Sequence, residues 1–237
     1  TMLRLDGTEN KTRLGANAIL AVSIASAKAA SNALGVHLYE HLSKTKERKL
    51  PVPMMNVING GKHAGNELNI QEFMILPVNA KSFRDALRMG VETYHQLKEI
   101  LGKRYGPSAT NVGDEGGYAP SMKNTAEALE ALVKSIEAAG YTPGKDIFLG
   151  LDAASSGFYD ANSGKYKIDG KAFAREELIK YYKNLCAEYA IFSIEDPLYE
   201  DDFEGFSKVT SELKNVQIVG DDLFVTNVKR LAKGISM

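Results

Sequence analysis

Ile147–Asp152 reads IFLGLD, a run of apolar and small residues that ends in a carboxylate. Two later stretches repeat the pattern: IFSIE over 191–195 and VQIVGD over 216–221. Continuous apolar runs of this length, with no polar alternation, read as strands buried on both faces. Between them lie helical patterns. Residues 175–188 place Leu178, Ile179, Tyr182, Leu185 and Cys186 on one face, and 203–213 and the segment from 226 onward read as further helices. Buried strands alternating with amphipathic helices predict a parallel sheet covered by helices, the α/β class.

Upstream the alternation is looser. Residues 15–42 are alanine-rich and proline-free, which predicts closely packed helix with a break near Gly35. A charged linker, SKTKERK, leads to the extended run LPVPMMNVI, and QEFMILPV reads as a second short strand. Ser82–Leu101 reads as a helix with Ser82 as N-cap and Gly102 just past its end. Leu129, Leu132, Val133 and Ile136 mark one face of another helix, stopped by Gly140. FYDANSGKYKI reads as a hairpin turning at Asn162-Ser163-Gly164.

Composition narrows the function classes. A formal net charge of −1 argues against nucleic-acid and anionic-membrane partners. One cysteine, Cys186, cannot form an internal disulfide and suits a reducing, cytoplasmic setting. No apolar run approaches the roughly 18 residues of a membrane span, and the first residues do not read as a signal peptide.

The acids at the strand ends carry the chemistry. Asp152, Glu195 and Asp221 each follow an apolar strand, and in a parallel barrel the C-terminal strand ends form the rim where active sites are built. Carboxylates converging there repel one another unless a cation neutralises them. Oxygen donors without a histidine or cysteine cluster favour Mg2+ over Zn2+. Each acid taken singly also suits the N-cap of the following helix. Two glycine-flanked loops add candidates. NGGKHAGNELNIQEF places His63 after a Gly-Gly turn, with Gln71 and Glu72 opening the next strand, and NVGDEGGYAP holds Glu115 between an aspartate and two glycines. Lys62 is followed by histidine, so the first loop is not a phosphate-binding P-loop.

Together LDGTENKTRLGANAILAVSIA, NVINGGKHAGNELNIQEFMI, NVGDEGGYAP, LGLDAASSGFYD, FSIEDPL and IVGDDLFVTN resemble the enolase family, in its order and close to its spacing, along essentially the whole chain. The resemblance implies an enolase-type β/α (TIM-like) barrel preceded by a small N-terminal α/β domain. Residues 1–49 would be the helical remainder of that domain, and 50–237 the first part of the barrel. It implies glycolytic, Mg2+-dependent, reversible dehydration of 2-phosphoglycerate to phosphoenolpyruvate, by a homodimer or a ring of dimers. Carried over by position, Asp152, Glu195 and Asp221 match metal ligands, and Asp222 an outer neighbour of that site. Glu115 matches the acid that protonates the departing hydroxyl. Glu72 and His63 match residues near that hydroxyl and the phosphate, and Gln71 a substrate contact.

The family's lysine base, on the strand expected after the last helix, has no counterpart here. Lys229 and Lys233 lie on that helix and do not replace it. About five of eight barrel strands are accounted for, so the chain is expected to be an incomplete barrel from a longer enolase and inactive alone. Two rival readings use other features. HLYEH, residues 37–41, fits an inverted zinc-peptidase pattern with His37 and His41 on one helix face. A non-catalytic scaffold, binding metal or a partner at an exposed sheet edge, needs only the residues present.

Overall fold

The computed structural model describes residues 1–43, 45, 47–61 and 64–237. The chain divides into two compact units, Thr1–Leu50 and Pro51–Met237.

The first unit is helical: α1 (Met2–Asp6), α2 (Ala16–Leu34) and α3 (Leu38–Leu42). Gly35 ends α2 in the left-handed conformation at φ 67°, and its N–H bonds back to the last turn. The break near Gly35 therefore stands. The close packing expected of the alanine-rich run does not. Among the residues of α2 only Ser31 is buried, and Leu20 and Val22 are more than half exposed. Alanine content favours the helix itself, and only a facing layer can bury it.

The second unit is built on one five-stranded sheet: β1 (Met55–Asn59), β2 (Glu72–Leu76), β3 (Phe148–Asp152), β7 (Ile191–Glu195) and β8 (Gln217–Val219), in the order β1-β2-β3-β7-β8. β4 (Tyr159–Asp160), β5 (Lys165–Ile168) and β6 (Lys171–Phe173) make a small antiparallel sheet of their own, with the expected hairpin turn before β5. Four helices lie between the strands, α4 (Phe83–Tyr105), α5 (Thr125–Ala138), α6 (Arg175–Glu188) and α7 (Phe203–Glu212), and α8 (Val228–Ile235) follows β8. Leu129, Leu132 and Ile136 of α5, and Leu178, Ile179 and Tyr182 of α6, lie fully buried in one core with Phe73, Leu149, Leu151 and Ile194 of the strands. α4 sits so close to β1 that a Cβ at Gly90 would clash with the end of the Met55 side chain. The barrel is open, with β1 and β8 as its edges.

Three expectations need correction. The sheet is not wholly parallel: β3, β7 and β8 run parallel, whereas β2 is antiparallel to both β1 and β3. β2 follows β1 through residues 60–71 without an α-helix among the described residues, and a helix is the usual crossover that returns a strand in the same direction. β8 ends at Val219, so Asp221 lies in the turn beyond the strand. α4 runs through Gly102 to Tyr105 and stops at Gly106, whose φ is 86°, while Ser82 caps its start by accepting from the Asp85 N–H. Gly102 has no positive φ, and a Cβ there would meet only Thr110 Cγ2 at 3.7 Å. Gly102→Ala is therefore expected to stabilise the chain by about 0.5–1 kcal/mol, through the lower entropy of the unfolded state and the better helix propensity of alanine. A urea titration reads this directly. A loss of stability would mean that Gly102 ends the helix after all.

Candidate active site and metal centre

Reversal of β2 decides which side chains share a rim. β1, β3, β7 and β8 all end at one edge of the sheet, and β2 begins there. Across that edge Asn59 pairs with Glu72, Glu72 with Asp152, Asp152 with Glu195, and Glu195 with Val219. Residues that pair across neighbouring strands project to the same face of the sheet. Strand register alone thus sets Glu72, Asp152 and Glu195 side by side.

Asp152, Glu195 and Asp196 offer carboxylate oxygens that all lie within 4.8 Å of one another, the one group among the described residues arranged to hold a metal ion. The sequence pointed to Asp221 as the third member, whereas the structure gathers Asp196. Asp196 also has another task. Its carboxylate accepts the Asp222 N–H at 2.8 Å, with a long contact to the Leu223 N–H, while its backbone N–H bonds to Val219 and its carbonyl accepts from Ser155. It therefore ties the turn that carries Asp221 to the end of β7. Arg230 of α8 grips that turn from the other side, donating to the Leu223 and Glu200 carbonyls and to Asp201. Asp221 stays near enough for its charge to act on Glu195.

Electrostatics follow from this crowding. Burial first, and then the charges of Glu195, Glu72 and Asp196, push the Asp152 carboxyl up to about 8. Burial and the neighbouring Asp196, Asp221 and Asp222 raise Glu195. Asp196 is raised to about 6, mainly by burial. Glu72 reaches about 7, through burial first and then the neighbouring carboxyls of Glu115 and Glu195.

Glu115 stands in the loop 113–117, closed on itself by Gly113 N–H to Gly117 O and Gly116 N–H to Gly113 O. Its Oε2 accepts the Asn59 side-chain amide at 2.6 Å. Gln71, expected to touch substrate, donates to Asp152 Oδ2 at 3.2 Å, and the Ala154 N–H donates to Oδ1. Gln71 also lines a cavity of about 610 Å3 with Asn69, Ser156, Glu67, Glu200 and Asp222, and no lysine or arginine is among its described lining residues. His63 lies outside the described residues. Lys229 and Lys233 are on α8, the Lys233 ammonium over the Phe203 ring at 4.0 Å.

The histidines of HLYEH are not arranged as a shared-face pair. His37 is the extended N-cap of α3 and not a helical residue; its N–H bonds to Glu40, and Glu40 also pairs with Arg48. Asn59, Asp196 and Arg230 were not singled out in the sequence. The available signal was adjacency: Asn59 closes a strand just before Gly-Gly, and Asp196 follows a strand-end acid.

Comparison with known proteins identifies the family. The family model described as "Enolase, C-terminal TIM barrel domain" matches residues 47–237, and "Enolase, N-terminal domain" matches residues 1–42. Proteins named enolase from Methanopyrus kandleri, Thermococcus gammatolerans and Pyrococcus furiosus are 63%, 60% and 57% identical to the whole of this chain, which covers 56%, 55% and 55% of them respectively. The chain thus spans about half the length of the curated relatives it matches.

The raised carboxyls carry a definite pH sign. Asp152, Glu72 and Asp196 bind a proton more tightly folded than unfolded, where aspartate and glutamate titrate near 3.8 and 4.5. Between about pH 5 and 8 the folded state then holds more protons, so stability falls as pH rises. Surface acids with lowered values, such as Asp160 at about 2 beside Lys167, act in the opposite sense but lose their contribution only below this window. In chelator, the melting temperature is expected to be higher at pH 5.5 than at pH 8, and Asp152→Asn to flatten the slope. A wild-type melting temperature that climbs toward pH 8 would contradict the assignment.

Proposed function

We propose, for a chain that belongs to the enolase family, that it supplies the metal-binding and proton-donating side of a glycolytic hydro-lyase interconverting 2-phosphoglycerate and phosphoenolpyruvate. One observation carries the reading. Glu72, its carboxyl raised by burial and by the neighbouring Glu115, stands one strand from Asp152 and two from Glu195 on the same rim. Loss of water from a 3-hydroxy acid needs both: an acid to protonate the departing hydroxyl, and positive charge at the substrate carboxylate.

The donor set fits a hard divalent cation. Asp152 and Glu195 present oxygens only, Gln71 and the Ala154 N–H orient Asp152, and the mutual repulsion of the acids is the condition a cation relieves. We take Mg2+ as the ion and Asp152, Glu195 and Asp221 as its ligands, with Asp196 holding the Asp221 turn. When bound, the cation would offset the negative charge that builds on the substrate carboxylate as the adjoining C–H proton leaves.

The chain's own residues do the rest of this half-reaction. Burial and the neighbouring Glu115 push the Glu72 carboxyl up to about 7, and Glu115 beside it is the group that passes a proton to the hydroxyl as the carbon–oxygen bond breaks. His63 and Glu72 would border the hydroxyl and phosphate. The acid-lined cavity repels a phosphorylated acid unless cations from outside its described lining balance it. A lysine base and phosphate-binding cations would come from elsewhere in an enolase of full family length, which we place in the cytoplasm as a homodimer or a ring of dimers. A non-catalytic scaffold is the second reading, favoured by the open β8 edge beside an apolar cavity of about 360 Å3 lined by Phe203, Phe206, Ile218, Leu223 and Phe224.

Two measurements separate these readings. Phosphoenolpyruvate absorbance should appear with 2-phosphoglycerate and Mg2+ when this segment sits in a full-length enolase, and not with the 237-residue chain alone. Turnover by the short chain would remove the need for an outside base. Mg2+ should raise the melting temperature of the 237-residue chain at pH 8, and Asp152→Asn or Glu195→Gln should abolish the rise. A shift that survives both substitutions would move the metal elsewhere.

A further inference from the structure

Glu115 is held by one buried side chain that neither the strand-end pattern nor the family resemblance singled out. Asn59, the last residue of β1, is fully buried. Its Nδ2 donates to Glu115 Oε2 at 2.6 Å, and its Oδ1 accepts the Gly117 N–H at 2.9 Å. The amide cannot turn over without setting oxygen against carboxylate and NH2 against N–H. The backbone is pinned as well. The Asn59 N–H donates to the Tyr118 carbonyl at 2.8 Å, and the Asn59 carbonyl accepts from Asn66 Nδ2 at 2.9 Å. The Glu115 loop is moulded onto this residue. A Cβ at Gly117 would fall 2.8 Å from Asn59 Oδ1 and 2.9 Å from the Asn59 backbone nitrogen, and one at Gly113 3.0 Å from the Asn59 side chain. Tyr94 closes the loop from outside, donating to the Gly116 carbonyl at 2.8 Å while its ring stacks on Tyr118 at 4.2 Å.

We propose that Asn59 is the positioning residue for the proton donor: by occupying Oε2 of Glu115 with an N–H, it confines the transferable proton to Oε1 and fixes the direction in which Glu115 delivers it. A proton on Oε2 would face the amide hydrogen head-on, so only one of the two neutral forms of the carboxyl is compatible with the loop. The inference rests on the hydro-lyase reading above. It adds that the orientation of the acid, and not only its presence, is built into β1.

Asn59→Asp is the informative substitution. It keeps the shape and the acceptor for Gly117 but replaces the donor with a second acceptor. In full-length enolase at pH 8 we expect kcat to fall at least 30-fold with KM changed less than threefold. Proton removal beside the substrate carboxylate does not need Glu115, so hydrogen exchange with solvent at that carbon should continue within threefold of wild type. The ratio of variant to wild-type kcat should recover as pH is lowered, because a protonated aspartate can donate again; a residue needed only for packing would not produce that recovery. A kcat within threefold of wild type at pH 8, or equal loss of exchange and turnover at an unchanged melting temperature, overturns the proposal. A second measurement holds if the variant fails to fold or if full-length wild type shows no turnover at all. In the isotopically labelled 237-residue chain, Glu115→Gln should displace the NMR resonances of the Asn59 side-chain amide. An unmoved resonance overturns the positioning role whatever the reaction turns out to be, whereas absent wild-type turnover with a displaced resonance overturns only the hydro-lyase reading.

Discussion

Like charges forced onto one rim are the constraint around which the rest of the second unit is arranged. Two carboxylates 4 Å apart repel by about 4 kcal/mol at an effective dielectric near 20, several times what a surface ion pair returns. The charges acting on buried Asp152 are all of its own sign: Glu195, Glu72 and Asp196. A rim of this kind persists only if a cation or protons neutralise it and if the backbone denies the side chains room to separate. Strand pairing supplies the second condition. Glu72, Asp152 and Glu195 are consecutive rungs of one ladder, and none can withdraw without breaking backbone hydrogen bonds.

Polar side chains then lock the loops to that ladder. Asn66 bridges the Asn59 and Pro120 carbonyls. Asn69 accepts the Asp169 N–H, and Asp169 in turn accepts from the Thr125 N–H at the start of α5 and from Tyr181 of α6. Each short amide or carboxylate reaches from a loop into an element of the core, so the rim inherits the rigidity of the packed helices. Asp196 does the same for the turn after β8, at the cost of a left-handed backbone, φ 41°, in a residue other than glycine. Strain of that kind survives where surrounding bonds over-determine it, and the Asp196 backbone and side chain have partners on both sides.

Much of this was legible beforehand, and the failures share a cause. Buried strands announce themselves by unbroken apolar runs, so IFLGLD and IFSIE gave both the strands and the acids that end them. The direction of β2 was not legible, because EFMIL looks the same whether it runs with its neighbours or against them. Pairing direction is a property of two segments. Asp196 went unweighed beside Glu195 for a related reason: its placement depends on a positive φ and on bonds to the turn after β8, neither of which shows in a local run of sequence. Gly102 misled because a glycine inside a helix and one just past its end differ only in backbone angle. The exposure of α2 shows the limit of composition: alanine permits close packing and supplies nothing to pack against.

The ordering of causes at the rim also separates two functions that share it. For Glu72 the largest influence is burial, the next is Glu115, and Glu195 comes last. For Glu195, after burial, the neighbours Asp196, Asp221 and Asp222 dominate. A cation held by Asp152 and Glu195 would cancel charge among the metal-side acids and release their protons, as metal binding to protonated ligands must. It would leave the two leading causes at Glu72 untouched. With a cation bound, one end of the ladder would ionise while burial and Glu115 still hold the Glu72 carboxyl raised. That division would lie between β2 and β3, because β2 runs backwards and brings Glu72 to the edge where Asp152 and Glu195 end their strands.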